Sequence, residues 1–254
     1  MQVLANKVAI VTGASSGIGR AAALLFAQHG ARVVAAARRK QELRDVVDTI
    51  AAAGGTALAC VGDVTDEHFA RQLVEVATEE FGGLHIAFNN AGTVGDLAAA
   101  PEMSRANWNA VLDTNLTSAF LAAKYQLPAL VARGGGSLIF TSTFVGYTAG
   151  IPGMAAYAAS KAGLIGLTQV LAAEYGSQNV RVNALLPGGT DTPLGRDFAS
   201  TPEARSFVCN LHALKRMADP EEIAQAALFL ASDASSFVTG TALLADGGVS
   251  ITRT

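Results

Sequence analysis

Only two cysteines occur in the 254 residues, Cys60 and Cys209, and they form neither a close metal-ligand spacing nor a C-x-x-C pair. That excludes a cysteine-built metal cluster and a C-x-x-C redox site. The four histidines (His29, His68, His85 and His212) are scattered, without the spacing of a zinc site. All six side chains are read as core or surface filler, and no metal is expected. Charge is also sparse. The net charge is −3 and no run of like charge is long enough to form a tail, so neither nucleic acid nor an anionic membrane surface is expected as a partner. No apolar run approaches the roughly 20 residues that span a bilayer. The opening MQVLANKVAIVTG lacks the n-region and cleavage site of a signal peptide. A soluble cytoplasmic protein is the expectation.

What the chain does contain is apolar material in a regular order. Half of it is hydrophobic, and its length suits one large α/β domain spanning 1–254. Short apolar runs expected as strands (residues 7–12, 32–37, 56–61, 84–89, 137–141, 180–186 and 241–245) alternate with helical patterns at 17–30, 40–53, 66–81, 104–133, 154–175 and 221–232. Pro128 predicts a break or last turn near the end of the fourth helical stretch. Continuous apolar strands between helices predict a Rossmann-like, doubly wound parallel sheet of seven strands with helices on both faces. One stretch, about 190–217, shows no clear period, and a segment of that length after a strand end is expected to be a substrate loop.

After the first strand comes Thr12-Gly13-Ala14-Ser15-Ser16-Gly17-Ile18-Gly19. Glycines there let the backbone turn sharply and approach a pyrophosphate, and the N–H groups at the helix start favour its charge. The spacing is not the common G-x-G-x-x-G but glycine, three residues, glycine, one residue, glycine. Farther on stand Asn89-Asn90-Ala91-Gly92, Tyr157-Ala158-Ala159-Ser160-Lys161, and Asn183 followed by Pro187-Gly188. In this order and setting the four motifs resemble those of the short-chain dehydrogenase/reductase family, in its small one-domain branch, and the resemblance covers nearly the whole chain.

The resemblance implies a nicotinamide dinucleotide held by Gly13, Ser15, Ser16, Gly17, Ile18 and Gly19. It places Asp63 and Val64 beside the adenine, and Asn90, Ala91 and Gly92 along the central groove. Pro187, Gly188 and Thr192 fall near the nicotinamide amide, with Thr190 standing where the family often has an aliphatic residue. An acid at the end of the second strand would accept hydrogen bonds from the ribose of NAD, whereas an arginine suits the 2′-phosphate of NADP. Here Ala37 takes that place and Arg38-Arg39 follow. The reading is NADP(H), with NAD(H) possible if the two arginines are only solvated loop charges.

Tyr157 and Lys161, at i and i+4, share one helix face. A phenol near pKa 10 is too weak an acid to ionise at neutral pH; a nearby ammonium and the oxidised nicotinamide would favour the phenolate. By resemblance Tyr157 is the acid/base, Lys161 also holds the nicotinamide ribose, and Asn115 bends its helix and holds a water that links Lys161 to solvent. The hydroxyl helper, normally serine, is first assigned to Thr143, three residues before Gly146, with Ser142 as the alternative. Alternation along a strand keeps the two from facing the substrate together.

Phe144, Ile151, Met154, Leu194, Phe198 and Leu211 suggest an apolar substrate wall. The resulting reading is an oxidoreductase moving hydride between the nicotinamide and a small-molecule ketone or secondary alcohol. 3-Oxoacyl thioester reduction is the nearest named activity, and NAD(H)-linked sugar or polyol oxidation is the rival. A catalytically silent cofactor-binding sensor or scaffold is the non-enzyme alternative. The resemblance implies a homotetramer.

Overall fold

The computed structural model describes residues 2–252. Seven strands form one sheet: β1 (Val8–Thr12), β2 (Arg32–Ala37), β3 (Thr56–Val61), β4 (Ile86–Asn89), β5 (Gly136–Thr141), β6 (Val180–Pro187) and β7 (Ala242–Ala245). Their spatial order is β3-β2-β1-β4-β5-β6-β7, and all six pairings are parallel. Parallel strands need long crossovers, and these are helices. They are α1 (Gly17–Gln28), α2 (Lys40–Ala52), α3 (Glu67–Phe81), α4 (Arg105–Leu112), α5 (Ser118–Ala132), α6 (Ala155–Tyr175), α7 (Pro193–Phe198), α8 (Pro202–Leu211) and α9 (Pro220–Ala231). Most bounds agree with the periodicity to within two residues, the usual uncertainty of frayed ends.

Central strands such as β1 are buried along their whole length, because alternate residues feed two cores. One core gathers Phe26, Leu43 and Ile223 from α1, α2 and α9; the other gathers Phe69, Leu127 and Leu164 from α3, α5 and α6. The chain winds outward from β1 to β3, then returns across the sheet to β4 beside β1. That reversal opens a crevice beyond the carboxyl ends of β1 and β4, where ligands of open α/β sheets bind.

Three expectations need correction. The break at Pro128 does not occur, and α5 runs on to Ala132. The proline lies on the exposed side of the helix, four residues before its end. The helical stretch 104–133 is instead interrupted earlier, by one π-helical turn at Asp113–Thr117. The stretch expected as an irregular loop holds two helices, α7 and α8. Thr192 and Thr201 each cap one through the side chain and each is followed by proline, a start signal that outweighs the weak period.

Two glycines separate fold constraints from spare flexibility. A Cβ on Gly19 would lie 2.3 Å from the Gly13 carbonyl oxygen, whereas one on exposed Gly176 would meet nothing within 4 Å. Gly176 also has ordinary helical angles, φ −60° and ψ −40°. Gly176→Ala should therefore raise stability by about 0.5–1 kcal/mol through the unfolded chain, and Gly19→Ala should lower both the melting temperature and dinucleotide affinity. Thermal melts of the two variants check this; a stabilising Gly19→Ala would show that the turn has room to spare.

Candidate active site

The crevice is assembled from the carboxyl ends of six strands, β1 to β6. After β1, Gly13 (φ +67°) and Gly17 (φ +53°) carry the chain around the turn in left-handed conformations that glycine tolerates. Gly13 also passes so close to the next loop that a Cβ would lie 2.9 Å from Asn90 Nδ2. The threonine before it ties the two loops together. Thr12 Oγ1 accepts hydrogen bonds from the N–H groups of Asn90 (3.0 Å) and Ala91 (3.1 Å), and Asn90 Nδ2 donates back to the Thr12 carbonyl. Ser16 occupies the N-cap of α1, yet its hydroxyl makes no bond to the helix, so its first-turn N–H groups have no cap from that side chain.

The Ser15 and Ser16 hydroxyls meet Arg39 instead. Arg39 Nη2 donates to Ser15 Oγ at 2.9 Å and to Ser16 Oγ at 2.6 Å. Arg38 turns the other way and forms a loose, exposed pair with Asp63 at 3.7 Å. The Asp63 carboxyl accepts from the Thr65 N–H and hydroxyl, and the Thr65 backbone bond leads in holding its pKa below the ordinary carboxylate value. Val64 lies deeper, against a small cavity behind the site. Of the two arginines expected at the cofactor, then, Arg39 reaches the glycine turn and Arg38 reaches the strand-three loop.

Tyr157 and Lys161 lie on successive turns at the start of α6. Lys161 is 4% exposed and donates from Nζ to the Thr141 carbonyl at 2.7 Å. Burial brings its pKa down to about 8. Burial pushes the Tyr157 phenol up, and a hydrogen bond with the Thr143 side chain opposes that rise. Nζ sits 6.0 Å from the centre of the tyrosine ring.

The two candidate hydroxyls separate cleanly. β5 ends at Thr141, so strict alternation has lapsed at the residues that follow. Ser142 turns beneath α6, where its Oγ donates to the Lys161 carbonyl at 2.8 Å. Thr143 faces the phenol, and its Oγ1 also accepts from the Val145 N–H at 3.3 Å. Asn115 sits in the π turn, 2% exposed, with its amide fully engaged: Oδ1 accepts from Thr93 N–H (2.8 Å), and Nδ2 donates to the Thr93 carbonyl (2.8 Å) and Ser160 Oγ (3.0 Å). Gly92 lets Asn115 and Lys161 share one space, since a Cβ there would lie 3.1 Å from both Asn115 Oδ1 and Lys161 Nζ. Behind them is a cavity of about 20 Å³, lined in part by Thr12, Asn89, Gln126 and Lys161, large enough for one water.

Beyond β6 the chain runs through Pro187 and Gly188 to Thr190, which is 6% exposed and bonds back to the Gly188 carbonyl. Thr192 caps α7 and crosses to the glycine turn, its methyl 2.9 Å from where a Gly17 Cβ would be. Val94, Phe144, Val145 and Met154 form a buried apolar cluster against which Ile151, Tyr157 and Phe198 pack. Leu194 is instead exposed, and Leu211 is not part of that cluster.

Several residues escaped the sequence reading: Thr12 and Ser160, which lie inside the recognised motifs, and Thr93 and Thr141, which act through their backbone. His212 is more than filler. It is 2% exposed, and both ring nitrogens are bonded. Among the described residues no group of histidine, cysteine and carboxylate side chains could hold a metal. Among the same described residues no helix is long and apolar enough to cross a membrane.

A glycine turn opening a helix at the crevice, with a tyrosine and a buried lysine facing it, defines a dinucleotide-dependent oxidoreductase of the doubly wound class. A family model described as enoyl-(acyl carrier protein) reductase matches residues 13–250. The chain is 40% identical to a cyclohexanol dehydrogenase of Acinetobacter sp. (strain SE19), over 95% of its own length and 94% of the relative's. It is equally 40% identical to a 3-oxoacyl-(acyl-carrier-protein) reductase of Thermotoga maritima, over 98% and 99%. Among solved structures it resembles a putative NAD(P)-dependent gluconate 5-dehydrogenase from Beutenbergia cavernae with bound NADP, with a TM-score of 0.91, 38% identity, and 98% of each chain covered. The protein belongs to the short-chain dehydrogenase/reductase family and is an NAD(P)-linked oxidoreductase of alcohols and ketones.

The buried lysine has a consequence for stability. Free lysine titrates near 10.4, but Lys161 titrates at about 8. Between those values the unfolded chain keeps the proton and the folded chain releases it, so stability rises with pH. Tyr157, raised in the fold, acts oppositely only above its unfolded value near 10. Cofactor-free protein should thus gain on the order of 2 kcal/mol from this lysine between pH 8 and pH 10. Denaturant titrations of wild type and Lys161→Met isolate the effect: the variant should lose the rise, and parallel curves would refute the low lysine pKa.

Proposed function

We propose that the protein is an NADP(H)-preferring oxidoreductase that interconverts an uncharged, ring-sized ketone and its secondary alcohol, with Tyr157 as acid/base. A buried Lys161, held by the Thr141 carbonyl with its Nζ 6.0 Å from the centre of the Tyr157 ring, carries the reading. The glycine turn fits a dinucleotide: side chains at Gly13 or Gly19 would collide with neighbouring backbone or Asn90, and the α1 cap leaves its N–H groups for a pyrophosphate. Gly13, Ser15, Ser16, Gly17, Ile18 and Gly19 would hold that group. Asp63 and Val64 would flank the adenine, Asn90, Ala91 and Gly92 the groove, and Pro187, Gly188, Thr190 and Thr192 the nicotinamide end.

When bound, the nicotinamide supplies or accepts the hydride. The chain handles the proton. In reduction, Tyr157 donates its phenolic proton to the carbonyl oxygen, and burial keeps that proton in place at neutral pH. Thr143 Oγ1 orients the same oxygen by hydrogen bonding. Ser142 is committed to the Lys161 carbonyl and serves to seat α6. Lys161 has three N–H donors and one is held by Thr141, which leaves donors for the nicotinamide ribose and for a water in the cavity beside Asn115. That water would return the proton to Tyr157.

Two observations refine cofactor and substrate. Arg39 lies across Ser15 and Ser16, so one guanidinium and two hydroxyls converge beside the glycine turn, a donor set suited to a phosphate. The apolar wall of Val94, Phe144 and Met154 offers nothing to the several hydroxyls of a polyol, each of which would be buried unpaired. The two lid arginines share one carboxylate, as Asp191 binds Arg196 at 2.7 Å and Arg205 at 3.1 Å. Cyclohexanol, the substrate named for the Acinetobacter relative, has the size and polarity the wall accepts.

With NADPH and a panel of cyclohexanone, a sugar ketone and a 3-oxoacyl thioester, turnover should favour cyclohexanone. Tyr157→Phe should bind NADPH within about threefold of wild type and lose 10²-fold or more in turnover, the scale of general acid catalysis. Unchanged turnover would remove Tyr157 from the mechanism. Arg39→Ala should weaken NADPH by about tenfold or more, as befits a charged hydrogen bond, and leave NADH alone. Equal loss for the two cofactors, measured by fluorescence titration, would end the NADP assignment.

A further inference from the structure

The imidazole of His212 closes α8, the second lid helix, and touches three separate parts of the chain. Its Nε2 lies 2.9 Å from the Gly189 N–H, and its Nδ1 lies 2.8 Å from the Val208 carbonyl. An N–H can only donate and a carbonyl can only accept, so the ring is neutral, with the proton on Nδ1 and the lone pair on Nε2. Space for it is made by glycine on both sides. A Cβ on Gly189 would lie 2.8 Å from His212 Cε1, and one on Gly247 would lie 3.3 Å from Cδ2.

The bonds around this ring link the lid to the end of β6. Gly189 accepts at its carbonyl from the Ala218 N–H (2.9 Å), and Ala218 accepts from Asp191 (2.8 Å). Leu214, just past α8, donates to the Gly247 carbonyl at 3.1 Å. Among the described residues nothing else bonds the Gly189 N–H, so there the imidazole is the partner of this half-buried donor.

We propose that His212 is a positioning residue for the nicotinamide end of the site. It acts through Gly189, fixing the turn from Pro187 to Thr190, and the same ring carries α8, so one side chain sets both the cofactor-facing turn and the base of the substrate lid. The inference rests on the proposed placement of that turn at the nicotinamide.

The two ring bonds can be removed one at a time. The side-chain amide of H212Q reaches the place of Nε2 and can accept from Gly189. That of H212N reaches only the place of Nδ1 and keeps the Val208 bond. NADPH affinity and the emission of bound NADPH are measured for wild type and both variants, with thermal melts alongside. H212N should weaken NADPH by about tenfold and lose part of the bound-nicotinamide emission, the scale of one buried donor left unpaired. H212Q should stay within about threefold of wild type. Equal affinities and emission in the two variants, whatever their melting temperatures, would overturn the proposal and leave the oxidoreductase reading standing. Failure of the wild type to bind NADPH would overturn both.

Discussion

The chain buries an ammonium group beside a carbonyl rather than a carboxylate. Lys161 is 4% exposed, its bonded partner is Thr141 O, and burial alone accounts for the fall of its pKa to about 8. An ion pair would have held the charge firmly and raised that value. A carbonyl stabilises the ammonium less, and the group stays near the range in which it can exchange protons. Everything around it serves that compromise. Gly92 lacks the side chain that would fill the space, Ser142 holds the lysine's own backbone, and Asn115 fills the opposite wall without taking the charge. A carboxylate in this ring of neutral dipoles would lock the lysine; a hydrocarbon would lower its pKa further.

The π turn at Asp113–Thr117 belongs to the same arrangement. An extra residue in one helical turn redirects the side chains beyond it, and here it brings Asn115 against both backbone groups of Thr93 and against Ser160. Those three bonds join the loop after β4 to α6. On the other side, Thr12 joins the same loop to the glycine turn. The loop after β4 is therefore braced from both flanks by side-chain hydrogen bonds, and the surfaces offered to cofactor and to substrate are set by one continuous network.

Legibility in the sequence follows the range of the interactions. Strands and helices rest on local period, so their order could be read almost completely. The glycine turn, Tyr157 and Lys161 are local patterns as well. The places of Thr143 and Ser142 were half legible: spacing to Gly146 pointed to Thr143, while the partner of the Ser142 hydroxyl lies nineteen residues away at the Lys161 carbonyl. The π turn was legible only through the resemblance, which gave Asn115 as a residue that bends its helix; the partners that draw it inward, Thr93 and Ser160, lie 22 and 45 residues away. His212 was passed over because its partners come from β6 and from its own preceding turn, and a single histidine without neighbours in sequence carries no pattern. The lid helices are different, for Thr192-Pro193 and Thr201-Pro202 were visible start signals, masked by breakers such as Gly195.

The segment after β6 joins a buried apolar cluster to a polar, water-facing outer surface. α7 and α8 together carry Arg196, Arg205 and neighbouring Asp191, which would each be a poor ceiling for a hydrocarbon ring. Asp191 takes one arginine on each carboxylate oxygen, so a single carboxylate holds both arginines at the outer surface, with Phe198 packed against the inner cluster. The same carboxylate comes directly after Thr190 and is hydrogen-bonded through its N–H to Ala218. The charge cluster on the outside of α7 and α8 is thereby anchored to the chain just beyond the end of β6. Exposed ion pairs contribute little to stability on their own; their contribution here is to orientation, because two helices too short to stand alone are given a fixed common point.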